Sequence, residues 1–297
     1  MKYVLITPAH NEAAFIEKTL NSVIAQTMLP ERWVIVDDGS TDRTAEIVCR
    51  YVRQYPWIEL VQFPQHQGRT FVRKAVAFNA GFERIRSLAF DVIGNVDADI
   101  SVEPEYFQFL LSKFAELPQL GVAGTAMQEA RYDAIKDSFY HESDVFGACQ
   151  LFRRECFEDV GGYTPIKWGG IDWIAVRTAR LKGWQTKSFC DKLFYHYRPM
   201  GATDTNTFKA RFDYGRKDYF LGNHPLWQVF RVSFQMAKRP YVVGGLLLLS
   251  GYFYSFASRI ERPVAPELLR LHRREQLERL KELFLHFLKT GRLRLRS

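Results

Sequence analysis

Through its first two hundred residues the chain alternates short apolar runs with stretches in which apolar positions recur every three or four residues. The runs YVLIT (3–7), WVIVD (33–37), IELVQ (58–62) and DVIGNVD (91–97) predict strands, and the intervening patterns near 12–26, 42–54, 69–86 and 104–117 predict helices. A βαβαβαβα order pairs its strands in parallel through right-handed crossovers, and ligands bind such a sheet at the carboxyl ends of its strands. That rule sets Thr7, Asp37, Asp38, Asp97 and Asp99 along one edge. From residue 121 the pattern loosens into glycine-rich turns, a strand at ACQLF (148–152), a helix over 171–182 ending at Gly183, and a strand at KLFYHY (192–197).

Past residue 205 the pattern changes, so two regions are expected, 1–205 and 206–297. Residues 206–239 set Phe208, Phe212, Trp227 and Phe230 among basic residues, which suits an interfacial segment or packing on the sheet equally. Pro240 to Ser258 holds no charged residue over nineteen positions, and a spanning helix needs about 20. Both flanks are basic, Lys238-Arg239 and then Arg259 and Arg262, so one crossing would carry a basic tail across against the positive-inside tendency. A re-entrant or surface-lying hairpin is therefore expected. The last segment places Leu269, Leu277, Leu280, Phe284 and Leu288 near one helical stripe, with Arg and Lys opposite.

Composition refines this picture in two places. The net charge of +8 in 297 residues is concentrated after residue 258, where eleven Lys and Arg face five Glu. Interleaved with Leu and Phe in a helical pattern, that charge favours an anionic membrane surface over nucleic acid. The four cysteines, Cys49, Cys149, Cys156 and Cys190, match neither a metal clip nor a disulfide framework and read as reduced core thiols. The apolar run after Met1-Lys2 is too short for a secretory signal and reads as the first strand.

The chemistry concentrates in four segments. In NVDADI, Asp97 and Asp99 at the end of an extended strand would point the same way and repel unless a cation lies between them. ITPAHNE turns at Pro8 and opens a helix at Asn11-Glu12, and VDDGSTDRT supplies paired carboxylates with Ser40 or Thr41 as a cap. GRTFVRKAVAFNAG adds Arg69, Arg73 and Lys74, cations suited to a diphosphate. Acids at the centre and bases at the rim suit a metal-bridged, nucleotide-linked diphosphate. No GxGxxG follows Ile6, which disfavours a dinucleotide oxidoreductase, and the TPAHNEAAF loop lacks the glycines and basic residue of a nucleotidyltransferase.

Six blocks in order over residues 1 to about 200 resemble the family 2 inverting glycosyltransferases of the GT-A fold, of bacterial type: TPAHNE, VDDGSTDRT, GRT with FNAG, NVDADI, GACQLFRRECFEDVGGY and GGIDWIAVRTARLKGW. The resemblance implies an α/β, Rossmann-like, mostly parallel catalytic domain over 1–205, with a membrane-associating helical region over 206–297. It implies transfer of a sugar from a nucleotide diphosphate sugar to a lipid-linked or polysaccharide acceptor, with Mg²⁺ or Mn²⁺, at the cytoplasmic face of the membrane. Thr7, Pro8 and Glu12 would flank the nucleotide, Asp37 or Asp38 would contact the base, and Arg69 and Arg198 would face the diphosphate. Asp99 would be the principal metal ligand, with Asp97 shared between ribose and metal and His196 beside them. Asp172 would be the general base, although Ile171 stands where many relatives carry an acid. QLERL (276–280) resembles the Gln-x-x-Arg-Trp of processive synthases but lacks the tryptophan, so a single-addition enzyme is expected. A catalytically silent sugar-nucleotide-binding scaffold is the alternative, and the presence of Asp97, Asp99 and Asp172 argues against it.

Overall fold

The computed structural model describes residues 1–66, 70–129, 132–133, 141–167, 169–198 and 207–290. The four predicted apolar runs are β1 (Tyr3–Ala9), β2 (Arg32–Asp37), β3 (Ile58–Gln62) and β4 (Val92–Val96). Between them run α1 (Ile16–Ile24), α2 (Thr44–Gln54) and α3 (Phe71–Ile85). Ile16, Leu20 and Val23 recur at helical spacing and are fully buried, which fixes the face α1 turns inward. Side chains of this kind each contribute about 1.5–3 kcal/mol when removed from water.

Beyond β4 come β5 (Ile100–Val102), α4 (Tyr106–Glu116), β6 (Leu120–Glu129), β7 (Tyr132–Asp133), β8 (Cys149–Arg153), α5 (Arg154–Val160), α6 (Ile171–Leu181) and β9 (Gln185–His196). The sheet order is β3-β2-β1-β4-β8-β6-β9-β5, with β7 on β6. The expected parallel pairing holds from β3 to β4, and β8 then enters antiparallel to β4, so the sheet is mixed rather than mostly parallel. The stretch expected to be glycine-rich turns is instead the ten-residue β6. Its Gly121 is there for space, since a Cβ at that position would meet the Trp184 Cβ at 2.6 Å and the Cys156 Sγ at 2.7 Å. Cys149 and Cys156 are buried, Cys49 is half-buried and Cys190 is exposed, so the four are not all core thiols. Burial pushes the Cys149 and Cys156 thiols up to about 12.

Contacts divide the chain into two compact units, Met1–Lys167 with Ile171–Pro199, and Trp168–Gly170 with Met200–Ser297. The second unit is helical: α7 (Thr207–Phe220), α8 (Pro225–Met236), α9 (Tyr241–Ala257) and α10 (Pro266–Thr290). The uncharged stretch expected to fold as a hairpin is the single helix α9. Its glycines are contact points, because Gly251 lies on the α7 backbone at Phe212 and Gly215 of α7 lies on the α9 backbone at Leu248. Among the described residues, no helix is long and apolar enough to cross a membrane.

Candidate active site

At the carboxyl edge of β1 and β2, two turns are tied together by their own side chains. The Asn11 Oδ1 accepts from the Thr41 backbone N–H at 2.8 Å, and the Ser40 Oγ accepts from the Asn11 N–H at 2.9 Å. Ser40 therefore serves the neighbouring turn rather than capping a helix. The cap contact falls to Asp42, whose Oδ1 accepts from the Thr44 N–H at 2.9 Å. Asp37 folds back on its own turn and accepts from the Ser40 N–H at 3.1 Å. Asp38 accepts two hydrogen bonds from the Arg73 Nε and one from its Nη2 at 2.7 Å. The Thr7 hydroxyl is buried and accepts from the Trp33 Nε1 at 2.9 Å, so it serves the core and leaves only its backbone for a ligand. Pro8 is half-buried, paired with Val36 near the end of β1. Arg69 lies outside the described residues.

The second cluster is made by β4, β5, β6 and β9. The chain leaves β4 at Val96, turns through Asp97-Ala98-Asp99 and re-enters as β5, so the two acids sit on a turn and not along one face of an extended strand. Antiparallel pairing of β5 with β9 sets Ile100 opposite His196, and the Tyr197 N–H donates to the Asp99 carbonyl at 2.9 Å. That register puts the His196 Nε2 3.5 Å from Asp99 and its Nδ1 3.2 Å from Glu129, at the end of β6. Burial is the largest influence on the imidazole and pulls its pKa down, but the hydrogen bonds and charges of Asp99, Asp97 and Glu129 together outweigh it and leave it raised. Arg198 joins the clusters, with its Nη2 2.6 Å from the buried Glu12 and its Nε 3.7 Å from Asp99.

Asp97 has other partners. Its carboxylate accepts from the Lys74 Nζ at 2.6 and 2.8 Å and from the Asn95 Nδ2 at 3.0 Å. The cations expected to face a diphosphate, Arg73, Lys74 and Arg198, are thus all engaged with acids. The ligand atoms of Asp97, Asp99 and His196 do not stand together at metal spacing. Among the described residues, the group of His, Cys, Asp and Glu whose ligand atoms all lie within 4.8 Å of one another is His10, Asp38 and His66.

Asp172, second residue of α6, packs against Gly147, where a Cβ would come within 2.5 Å of its Oδ2. The Gly147 carbonyl in turn accepts from the same Asn95 Nδ2 that holds Asp97. Asn95 and Gly147 therefore link the position of Asp172 to that of Asp97, and both acids act on the buried Tyr163, whose hydroxyl is pushed up first by burial and then by their charges. Glu129, His10, His66 and Asn95 were absent from the residues read as candidates. His10 sits inside TPAHNE and could have been read from it, whereas Glu129 belongs to a strand that its sequence conceals.

Residues 4–161, just over half of the chain, match the model of glycosyl transferase family 2, and the chain belongs to that family. Among curated relatives it is 33% identical over 122 residues to an uncharacterized glycosyltransferase of Nostoc, covering 41% of this chain and 35% of that one. It is 27% identical over 249 residues to the glycosyltransferase AglE of Haloferax volcanii, covering 77% and 75%. It is 30% identical over 112 residues to the poly-beta-1,6-N-acetyl-D-glucosamine synthase of Staphylococcus aureus, covering 38% and 25%. The chain thus spans about a third of the first of these, three quarters of the second and a quarter of the third. Two solved structures share its fold: Staphylococcus aureus TarS 1–349 with UDP-GlcNAc (TM-score 0.57, 17% identity, 91% of this chain and 79% of that one), and the mannosyltransferase PcManGT of Pyrobaculum calidifontis with GDP-Man and Mn²⁺ (0.56, 18%, 98% and 81%).

Proposed function

We propose that this chain is a glycosyltransferase that moves one sugar at a time from a nucleotide diphosphate sugar to a lipid-linked or polysaccharide acceptor, with inversion, at the cytoplasmic face of a membrane in envelope glycan synthesis. The observation that carries the reading is the convergence at one sheet edge of Asp38, Asp99 and Arg198, with Asp172 tied through Gly147 and Asn95 to the Asp97 turn. UDP-GlcNAc in TarS and GDP-Man with Mn²⁺ in PcManGT support a nucleotide-sugar donor.

The oxygen donors of Asp99 and Asp97, with the His196 imidazole, are by chemistry the set a hard divalent ion of the Mg²⁺ or Mn²⁺ kind would take, and they would have to draw together, with Lys74 releasing Asp97, to hold it. Such an ion supplies charge stabilisation for the departing nucleoside diphosphate. Arg198 adds positive charge at the same place, and Arg73 and Lys74 do so when their acids find other partners. Asp172 takes the proton of the acceptor hydroxyl, which is a poor nucleophile until that proton leaves. Glu12 holds Arg198, and Pro8 and the Thr7 backbone border the nucleotide.

Two observations in the helical unit support the finer parts of the proposal. Gln276 of QLERL is buried, accepts from the His224 N–H at 2.7 Å and donates to the Asn223 Oδ1 at 2.8 Å, which leaves it to hold helices and supports single addition. Tyr241, Val242, Phe253 and Phe256 of α9 and Phe284 and Leu288 of α10 are all exposed, and the sequence after residue 258 is basic, which together support contact with an anionic membrane surface.

The test is a panel of nucleotide sugars with Mn²⁺ or Mg²⁺, read by thermal shift and donor hydrolysis on the full chain. One donor class should give a metal-dependent shift and slow hydrolysis, both lost in Asp99→Asn. No shift with any donor, or an Asp99→Asn protein with full turnover, would overturn the reading. Vesicles containing anionic lipid should bind the full chain and bind Phe284→Glu/Leu288→Glu less; equal binding of the two would remove the membrane part.

A further inference from the structure

We propose that His10, Asp38 and His66 form a binding site for a zinc-class transition-metal ion, distinct from the carboxylate set at Asp99. Their ligand atoms come from the ends of three neighbouring segments, after β1, β2 and β3, and all lie within 4.8 Å of one another. Two imidazoles and one carboxylate are a donor set suited to zinc, whereas the oxygen-rich set around Asp99 suits Mg²⁺ or Mn²⁺. The two clusters therefore select different ions by donor chemistry.

The arrangement around His10 and Asp38 is that of oriented ligands. The His10 Nδ1 lies 2.7 Å from the Asp38 carbonyl, so it carries the proton and donates, and the lone pair is on Nε2, where a metal would replace the 3.3 Å contact from the Asn11 Nδ2. Arg73 grips the Asp38 carboxylate through both nitrogen positions and fixes its plane. The His66 Nε2 is buried without a hydrogen-bond partner and lies 3.3 Å from the Asp38 Oδ1. Ligand atoms on a tetrahedral zinc stand about 3.3 Å apart, given bonds of roughly 2.0–2.1 Å. The Asp38–His66 separation already matches.

One movement completes the site. The His10 and His66 rings stack in parallel, 4° apart in plane and 4.7 Å between centroids, and an ion must lie in the plane of each ring that binds it. His10 is held by its carbonyl bond, so His66 is the ring that turns about its side-chain torsions. Three protein ligands leave a fourth position for water or an anion. Only the consequence rests on the donor site proposed above: if Asp38, rather than Asp37, contacts the base of the donor, an ion seated here excludes the nucleotide, and zinc inhibits competitively with donor.

The probe is Zn²⁺ alone, or Co²⁺ as its coloured substitute, titrated into the full chain without nucleotide and followed by calorimetry and visible absorption. The wild type should bind one equivalent and give tetrahedral cobalt bands without a thiolate charge-transfer band. His66→Gln and His10→Gln should each bind at least tenfold more weakly, while Asp99→Asn binds Zn²⁺ as the wild type does. Unchanged Zn²⁺ affinity in both histidine variants, or loss of the site in Asp99→Asn, would overturn the proposal. His66→Gln alone decides the matter if His10→Gln does not fold. Because binding is read without donor, a failure here is distinguishable from a failure of the donor assignment, which the nucleotide-sugar panel tests.

Discussion

The two ends of this sheet edge are held together by different means. At the β1–β2 end, short polar side chains knit neighbouring turns, Asn11 to Thr41, Ser40 to Asn11, and Thr44 to the Glu12 N–H, and Arg73 is added on Asp38 from outside that frame. At the β4–β9 end, long cationic side chains reach the acids, Lys74 to Asp97 across 23 positions and Arg198 to Asp99, with Arg198 reaching on to Glu12 at the other end. The first arrangement is a rigid frame. The second is a set of ion pairs in which each cation already neutralises a carboxylate, so on the proposed function they would exchange partners when a diphosphate and its ion arrive. On that proposal the difference would separate recognition from chemistry along a single sheet edge.

If Asp172 is the proton acceptor, as proposed, its removal is the hardest blow to the reactive end. Asp172→Asn should lower transfer by about 10²–10⁴-fold, the usual contribution of a positioned base, while donor binding by thermal shift persists. Intact transfer in that variant would move the base elsewhere. Gly147→Ala is a gentler form of the same test. Its new methyl would sit 2.5 Å from the Asp172 carboxylate and displace it, and a displacement of about 1 Å costs roughly a hundredfold in rate. Wild-type kcat with an unaltered fold would show that the Asp172 position is not critical.

Lys74 tests the claim of partner exchange directly. In Lys74→Met, Asp97 loses two charge-assisted hydrogen bonds, each kind worth about 1.5–3 kcal/mol, that an incoming ion must otherwise break. Mn²⁺ affinity without donor should therefore rise about tenfold or more, while turnover falls because a cation is lost from the diphosphate. Weaker Mn²⁺ binding in the variant, measured by calorimetry, would mean that Lys74 shapes the site and does not compete for it.

The contrast between the two ends also marks what the sequence could reveal. β1, β2 and β4 are legible because their buried strands leave continuous apolar runs, β3, an outermost strand, by the mixed run IELVQ, and TPAHNE, VDDGSTD and NVDADI mark the carboxyl ends that form the edge. β6 is hidden, since Gly121 reads as a turn signal when its purpose is to admit Trp184 and Cys156. With β6 hidden, Glu129 has no place, and the His196 environment cannot be deduced. Asp97 and Asp99 were expected to share a face because the apolar run gives no sign that it stops at Val96. The pairing of Lys74 with Asp97 depends on how α3 lies beside the sheet, which no local pattern encodes. In the helical unit, Gly245 and Gly251 are where α9 meets the backbones of α8 and α7, a packing role that no local pattern in the 240–258 stretch encodes.

The smallest effect expected, and the one with a definite sign, belongs to His196. Its folded pKa is raised above the ordinary 6.5, so the protonated ring, facing Asp99 and Glu129, stabilises the metal-free fold. That stabilisation is fully present below pH 6.5 and is lost as pH rises through the elevated folded value. Metal binding at the proposed Asp99 and His196 site would run the other way, because an ion there would need the neutral imidazole and compete with the proton. The wild type minus His196→Gln difference in Tm should therefore shrink with rising pH in chelator, while the Mn²⁺-induced shift of the wild type grows over the same interval. A pH-independent difference in chelator would show that His196 does not titrate against these acids. A Mn²⁺ shift that falls with rising pH would remove His196 from the metal end and leave Asp99 to bind with carboxylates alone.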